Sequence, residues 1–220
     1  MHTPQFITFT GADDYTGIDD MQALSRDYPV EFGILFSPTR QGSGRYPSLS
    51  FVERLHSAKL SLAAHVCGGH SRGLITTGHI EPLQSLLTSG LFNRVQVNTA
   101  DAKASPAAIR DWTQAFNLLP ILQSRGEDRF PESRDVTWLF DRSGGRGTLA
   151  TVWPVESDTQ RLVGFAGGLG PDNVADAVRT IGRANHRYYI DMESRVRDSN
   201  DHFDIGICRA VCESVYGRRA

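Results

Sequence analysis

The stretch Leu162–Ala184, LVGFAGGLGPDNVADAVRTIGRA, carries the pattern from which the rest of the chain is read. A short apolar run, Leu162–Ala166, ends in Gly167-Gly168. Pro171-Asp172 then opens a segment, Pro171–Ala184, whose apolar residues recur at helical spacing. Continuous apolarity suits a strand buried on both faces, and Pro-Asp after a glycine is a helix-opening signal. A further run, Arg187–Met192, follows at once. Strand, tight turn, helix and second strand make one unit of a parallel sheet.

Working outward, six more runs of the same kind precede these two: Phe6–Thr10, Val30–Ser37, Leu60–Cys67, Arg94–Asn98, Leu118–Gln123 and Val136–Asp141. Helical spacing fills most of the gaps, over 18–28, 49–57, 80–88, 106–117 and, after the last run, 203–216. The signal fades after the fifth and sixth runs, where Pro131 and Pro154 interrupt it. Eight strand–helix units in 220 residues predict a compact (β/α)8 TIM barrel of the α/β class. An open doubly wound sheet usually needs a glycine-rich first turn, and Thr10–Asp14 (TGADD) lacks one. No linker or boundary interrupts the pattern, so residues 1–220 read as one domain.

Composition narrows the function classes. The chain is 40% hydrophobic and 22% charged with a net charge of −2, which predicts a folded chain with no nucleic-acid footprint. No apolar run is long enough to cross a bilayer, and the opening MHTPQFITFT has no cationic stretch followed by an apolar one, so no export signal is expected. Three cysteines, Cys67, Cys208 and Cys212, do not make a disulfide framework and suit a reducing cytoplasm. Lysine is limited to Lys59 and Lys103. Neither is strand-borne, which counts against Schiff-base chemistry.

A barrel places its active site at the carboxyl ends of its strands. The seventh run ends in Gly167-Gly168 before a helix, a pattern that leaves backbone N–H groups for an anion; a tight turn that merely needs glycine is the competing reading. The sixth run ends in Asp141, ahead of the loop Arg142-Ser143-Gly144-Gly145-Arg146-Gly147. That arrangement suits a general acid beside a ligand-cradling loop, or an acid paired with Arg142 or Arg146. On the third run His65, Cys67 and His70 form His-Val-Cys-Gly-Gly-His. If the Gly-Gly turn brings His70 back, the three suit a metal-assisted enzyme with an open coordination position; a hydrogen-bonded histidine beside a buried thiol is the alternative.

Taken in order, LFDRSGGRGT (139–148), GFAGGLGPDNVADAV (164–178) and YYIDMESRV (188–196) resemble the phosphoribosylanthranilate isomerase family of tryptophan biosynthesis. The likeness is best over 136–216. It extends more weakly to RVQVN (94–98), EFGILFS (31–37) and the pair Arg45-Tyr46. The resemblance implies a (β/α)8 barrel and an Amadori rearrangement of a phosphorylated sugar amine by general acid and base. It implies no cofactor and no metal. Asp141 would be the acid and Arg45 would hold a substrate carboxylate. Gln96 and Asn98 would line the substrate site, and Gly167, Gly168 and Ser194, with Arg195 beside them, would hold the phosphate. The expected partner is a phosphorylated small molecule, with neither nucleic acid nor membrane, for a monomer or homodimer. The family base is a cysteine at the end of strand one, where this chain has Thr10. Asp13 and Cys67 are the replacement candidates. Glu193-Ser194-Arg195 stands where the family has Ser-Ser-Gly, so Glu193 would repel a phosphate and Arg195 attract one. A ligand-binding barrel without catalysis is the remaining alternative.

Overall fold

The computed structural model describes residues 1–99, 101, 104–125, 128–142, 147–150 and 152–219. Eight strands, β1 (Ile7–Thr10), β2 (Val30–Phe36), β3 (Leu62–Val66), β4 (Arg94–Val97), β5 (Leu119–Ser124), β6 (Thr137–Phe140), β7 (Val163–Phe165) and β8 (Tyr188–Met192), pair in sequence order. Every pairing is parallel, and β8 closes on β1 through Ile7↔Ile190 and Phe9↔Met192. The architecture is the expected (β/α)8 barrel, with each strand within two residues of its reading from sequence. No helix among the described residues is long and apolar enough to cross a membrane.

The helices are α1 (Ile18–Asp27), α2 (Leu49–Arg54), α3 (Gly69–Thr77), α4 (Glu81–Leu87), α5 (Pro106–Gln114), α6 (Val174–Ala184) and α7 (Ile205–Tyr216). α6 shows why these segments dock on the barrel. Its buried residues, Val174, Ala177, Val178, Ile181 and Gly182, recur at the spacing of one helix face. Hydroxyl or carboxylate caps start three others: Ser48 accepts from the Phe51 amide, Ser105 from Ala108 and Asp204 from Ile207.

One difference from the sequence reading has a local cause. α3 went unread because GHSRGLITT is rich in poor helix formers; tertiary contacts, including the Ser71 hydroxyl donating to the Val66 carbonyl at 2.7 Å, hold it in place. After β5 and β6 the described residues form no helix, in line with the faded signal there. Aromatic side chains cover the barrel instead: the Phe130 and Trp153 rings meet Phe165 edge-on, at 5.5 and 5.8 Å.

Alternation sorts each strand into two faces. Outward residues such as Phe9, Phe32, Ile34, Val97, Phe140, Phe165 and Ile190 form the core between sheet and helices. The barrel interior is divided. Ile121, Leu139, Ala166 and Tyr189 pack together on the β5–β8 side. The β1–β4 side carries polar groups: Thr8, Thr10, Glu31, His65, Arg94 and Gln96 are all buried. Near the amino ends of the strands, Glu31 accepts from the Thr8 hydroxyl at 2.9 Å and pairs with Arg94 at 3.1 Å. The Arg94 guanidinium also lies over the Tyr189 ring at 4.2 Å.

Candidate active site

The carboxyl ends of the strands surround a cavity of about 550 Å³. Asp141 after β6, Gly167 and Gly168 after β7, Asp191 on β8 with Ser194 and Arg195 after it, Gln96 on β4 with Asn98 after it, and Arg45 after β2 all line it. The structure therefore brings together these eight residues singled out from the sequence, and adds Asp191. Asp141 is nearly buried, and Gln123 Nε2 approaches its Oδ2 at 3.5 Å. Ser143, Gly144, Gly145 and Arg146 lie outside the described residues.

The β3 and β4 walls carry one hydrogen-bond chain. Asn98 Nδ2 donates to Cys67 Sγ at 3.2 Å. Gln96 Nε2 donates to Asn98 Oδ1 at 2.8 Å and meets His65 Nδ1 at 3.2 Å. An amide nitrogen can only donate, so Nδ1 is the acceptor and the His65 proton resides on Nε2. Burial holds His65 neutral, with its pKa down to about 3. Its Nε2 has no partner among the described residues although it is buried at the cavity wall. Burial likewise pushes the Cys67 thiol up to about 11 despite the Asn98 bond. Cys67 lines the cavity, and this rise counts against a thiolate there near neutral pH.

Thr10, the residue in place of the family cysteine, donates through Oγ1 to Asp191 Oδ1 at 2.8 Å. Gly33 makes room for this convergence: a Cβ there would stand 2.3 Å from Thr10 Oγ1 and 2.8 Å from His65 Nε2. Burial raises Asp191 to about 8, with Glu193, Asp141 and Glu31 adding to the rise and the Thr10 bond opposing it. Sequence reasoning passed over Asp191 because it attends to the ends of strands and their loops, and β8 continues one residue further. The signal was the inward parity that Asp191 shares with Tyr189 on β8.

The glycine turn is built for close approach. Gly167 and Gly168 have φ of +100° and +64°. A Cβ on Gly168 would lie 2.4 Å from the Leu149 amide nitrogen and 2.6 Å from the Gly147 carbonyl oxygen, so only glycine lets the loops after β6 and β7 meet. Asn173 pins the turn, accepting from the Gly170 amide and donating to the Gly168 carbonyl, both at 2.9 Å. Opposite, the Arg45 fork is engaged: Nη1 donates to Glu193 at 3.0 Å and to Ser194 Oγ at 2.9 Å, and Nη2 to Asp201 at 2.9 Å. Glu193 is thereby turned onto Arg45 rather than left as a bare charge beside the turn. Arg195 pairs with Asp172 at 2.7 Å.

Two expectations are corrected. Asp13 does not line the cavity. Its carboxylate is buried against Arg197 at 2.6 Å and accepts from the Phe203 amide at 3.0 Å, clamping the β1 and β8 loops together. A carboxylate so engaged is a structural ion pair, not a free base. His65, Cys67 and His70 do not form a metal site either. The chain after Gly68 enters α3 instead of folding back, His70 does not line the cavity, and no trio of His, Cys, Asp or Glu among the described residues is arranged to hold a metal ion.

Barrel, carboxyl-end cavity, acid and glycine turn define a (β/α)8 protein with an active-site-like mouth. No protein-family model and no curated protein matches the sequence. Among solved structures, the chain resembles phosphoribosylanthranilate isomerases over nearly its whole length. TrpF from Jonesia denitrificans superposes with a TM-score of 0.66 at 19% identity, covering 97% of each chain. Phosphoribosyl anthranilate isomerase from Thermotoga maritima gives 0.64 at 15%, covering 99% of this chain and 100% of that one. The Thermus thermophilus enzyme gives 0.62 at 16%, covering 100% of both.

Proposed function

We propose that the protein is an isomerase of a phosphorylated sugar or sugar amine, acting by general acid and base in an Amadori rearrangement. The observation that carries this reading is the placement of Asp141 and the Gly167-Gly168 turn on one cavity at the carboxyl ends of the strands. Asp141 donates a proton to the ring oxygen as the sugar opens. Gly167, Gly168 and Ser194 hold the phosphate with Arg195 beside them. Gln96 and Asn98 contact the sugar, and Arg45 receives a substrate carboxylate if that group displaces Glu193. The reading carries with it a cytoplasmic protein, monomeric or homodimeric, with a phosphorylated small molecule as its partner.

The test follows the loss of phosphoribosylanthranilate fluorescence with purified protein, with Asp141→Asn as the comparison. Turnover that falls about 10²–10⁴-fold in the variant supports the acid role. Turnover unchanged in Asp141→Asn sinks it. Ligand binding without turnover makes the molecule a binding barrel.

A further inference from the structure

We propose that Asp191, held by the Thr10 hydroxyl between β8 and β1, is the base that removes the substrate's C2 proton. The inference rests on the isomerase reading. An Amadori step needs a proton acceptor in the cavity, and the described candidates fall away one by one. Asp13 is outside the cavity and bound to Arg197. Cys67 is a high-pKa thiol. Of the His65 ring nitrogens, Nδ1 is occupied by Gln96, and Nε2 is buried and carries the proton. Glu193 is paired with Arg45, and Asp141 serves as the acid. Asp191 lines the cavity, is nearly buried, and forms no ion pair with any described residue. Its known partner is a single hydroxyl, at 2.8 Å. Thr10 is then a positioning residue: its hydroxyl does not touch the substrate but fixes the carboxylate and stabilises its charged form.

The step balances without an oxidant or reductant. The C2–H bond of the ring-opened iminium breaks and its proton passes to an Asp191 oxygen. The electron pair forms C1=C2, and the C1=N π pair moves onto nitrogen, giving an enolamine. Protonated Asp191 then delivers a proton to C1 as the C2 hydroxyl proton passes to the Asp141 carboxylate left by ring opening, which leaves the aminoketose and resets both carboxyl groups. Charged groups that bear on Asp191 are Glu193 on its own loop, Asp141 from β6, Glu31 from β2 and Arg94 from β4; Tyr189 lies on its own strand. Burial first, and the three acidic neighbours after it, make the carboxyl ionise late, so turnover rises with pH through about 8.

The experiment measures kcat against pH for phosphoribosylanthranilate with the wild type, Asp191→Asn, Thr10→Val and Thr10→Ser. Asp191→Asn is expected to lose about 10²–10⁴-fold in kcat while still binding inorganic phosphate, which reports an intact fold. Thr10→Val is expected to move the pH limb upward and keep its plateau; Thr10→Ser returns the limb to its original position. Asp191→Asn with near-wild-type kcat, or with the same pH limb, overturns the base role alone. A wild type with no turnover at any pH overturns the isomerase reading and the base role together.

Discussion

Two carboxyl groups inside the same barrel make opposite use of burial. Glu31, near the amino ends of the strands, and Asp191, near the carboxyl ends, each accept a hydrogen bond from a β1 threonine: Thr8 at 2.9 Å and Thr10 at 2.8 Å. Burial pushes both pKa values up. The difference is Arg94, which pairs with Glu31 at 3.1 Å and pulls its pKa back down, whereas Asp191 has acids for neighbours. A carboxylate with a fixed cation inside the barrel is a structural element. One without an ion-pair partner among the described residues, at the open end, is free to change its protonation state. The interior is therefore bolted at one end and chemically mobile at the other, although the residue types are the same.

The largest expected effect breaks the bolted end. Arg94→Met strands Glu31 without its cation and is expected to destabilise the fold by about 3–5 kcal/mol, read by urea unfolding. A variant as stable as the wild type would place Glu31 and Asp191 in the same class. Next comes Gly168→Ala, which alters the mouth without touching either carboxyl. A left-handed backbone and a Cβ against Leu149 and Gly147 are expected to cost about 1–3 kcal/mol and abolish phosphate binding, measured by titration calorimetry.

The third prediction sharpens the contrast through pH. Asp191 carries a folded pKa of about 8 against an ordinary 3.8, so the folded state holds a proton that the unfolded chain has lost. Its contribution to stability is full below the unfolded value, declines as pH rises and levels off above about 8. Melting curves of the wild type and Asp191→Asn should therefore diverge from pH 4 to pH 8 in favour of the variant, then run parallel. A constant difference would mean that Asp191 is ionised throughout. The smallest expected effect belongs to Cys67→Ser. With the thiol held up near 11, this change should reduce turnover far less than Asp191→Asn. An equal loss would move the base from β8 to β3.

How much of this was legible in the sequence follows from how local each signal is. All eight strands were readable because a parallel strand buried on both faces needs one short apolar run and nothing distant. Asp141 and the glycine turn were readable because the first ends a run and the second sits where a strand turns into a helix. α3 was not, since Gly, His, Ser and Thr carry no helical preference and the barrel supplies it. Asp13 read as a replacement base because its partner, Arg197, stands at the other end of the chain. His70 seemed able to return to His65 because a Gly-Gly pair does not say which way the backbone leaves it.

The sequence by itself determined the parallel strand order, the single barrel and the end of it that carries chemistry, since these rest on period, turn residues and handed connections. Only the tertiary structure decided which acidic groups are bolted and which are available. A carboxyl's state depends on what lies within a few ångströms of it. Closing β8 onto β1 set Thr10 against Asp191, 181 positions away in the chain, with no cation between them.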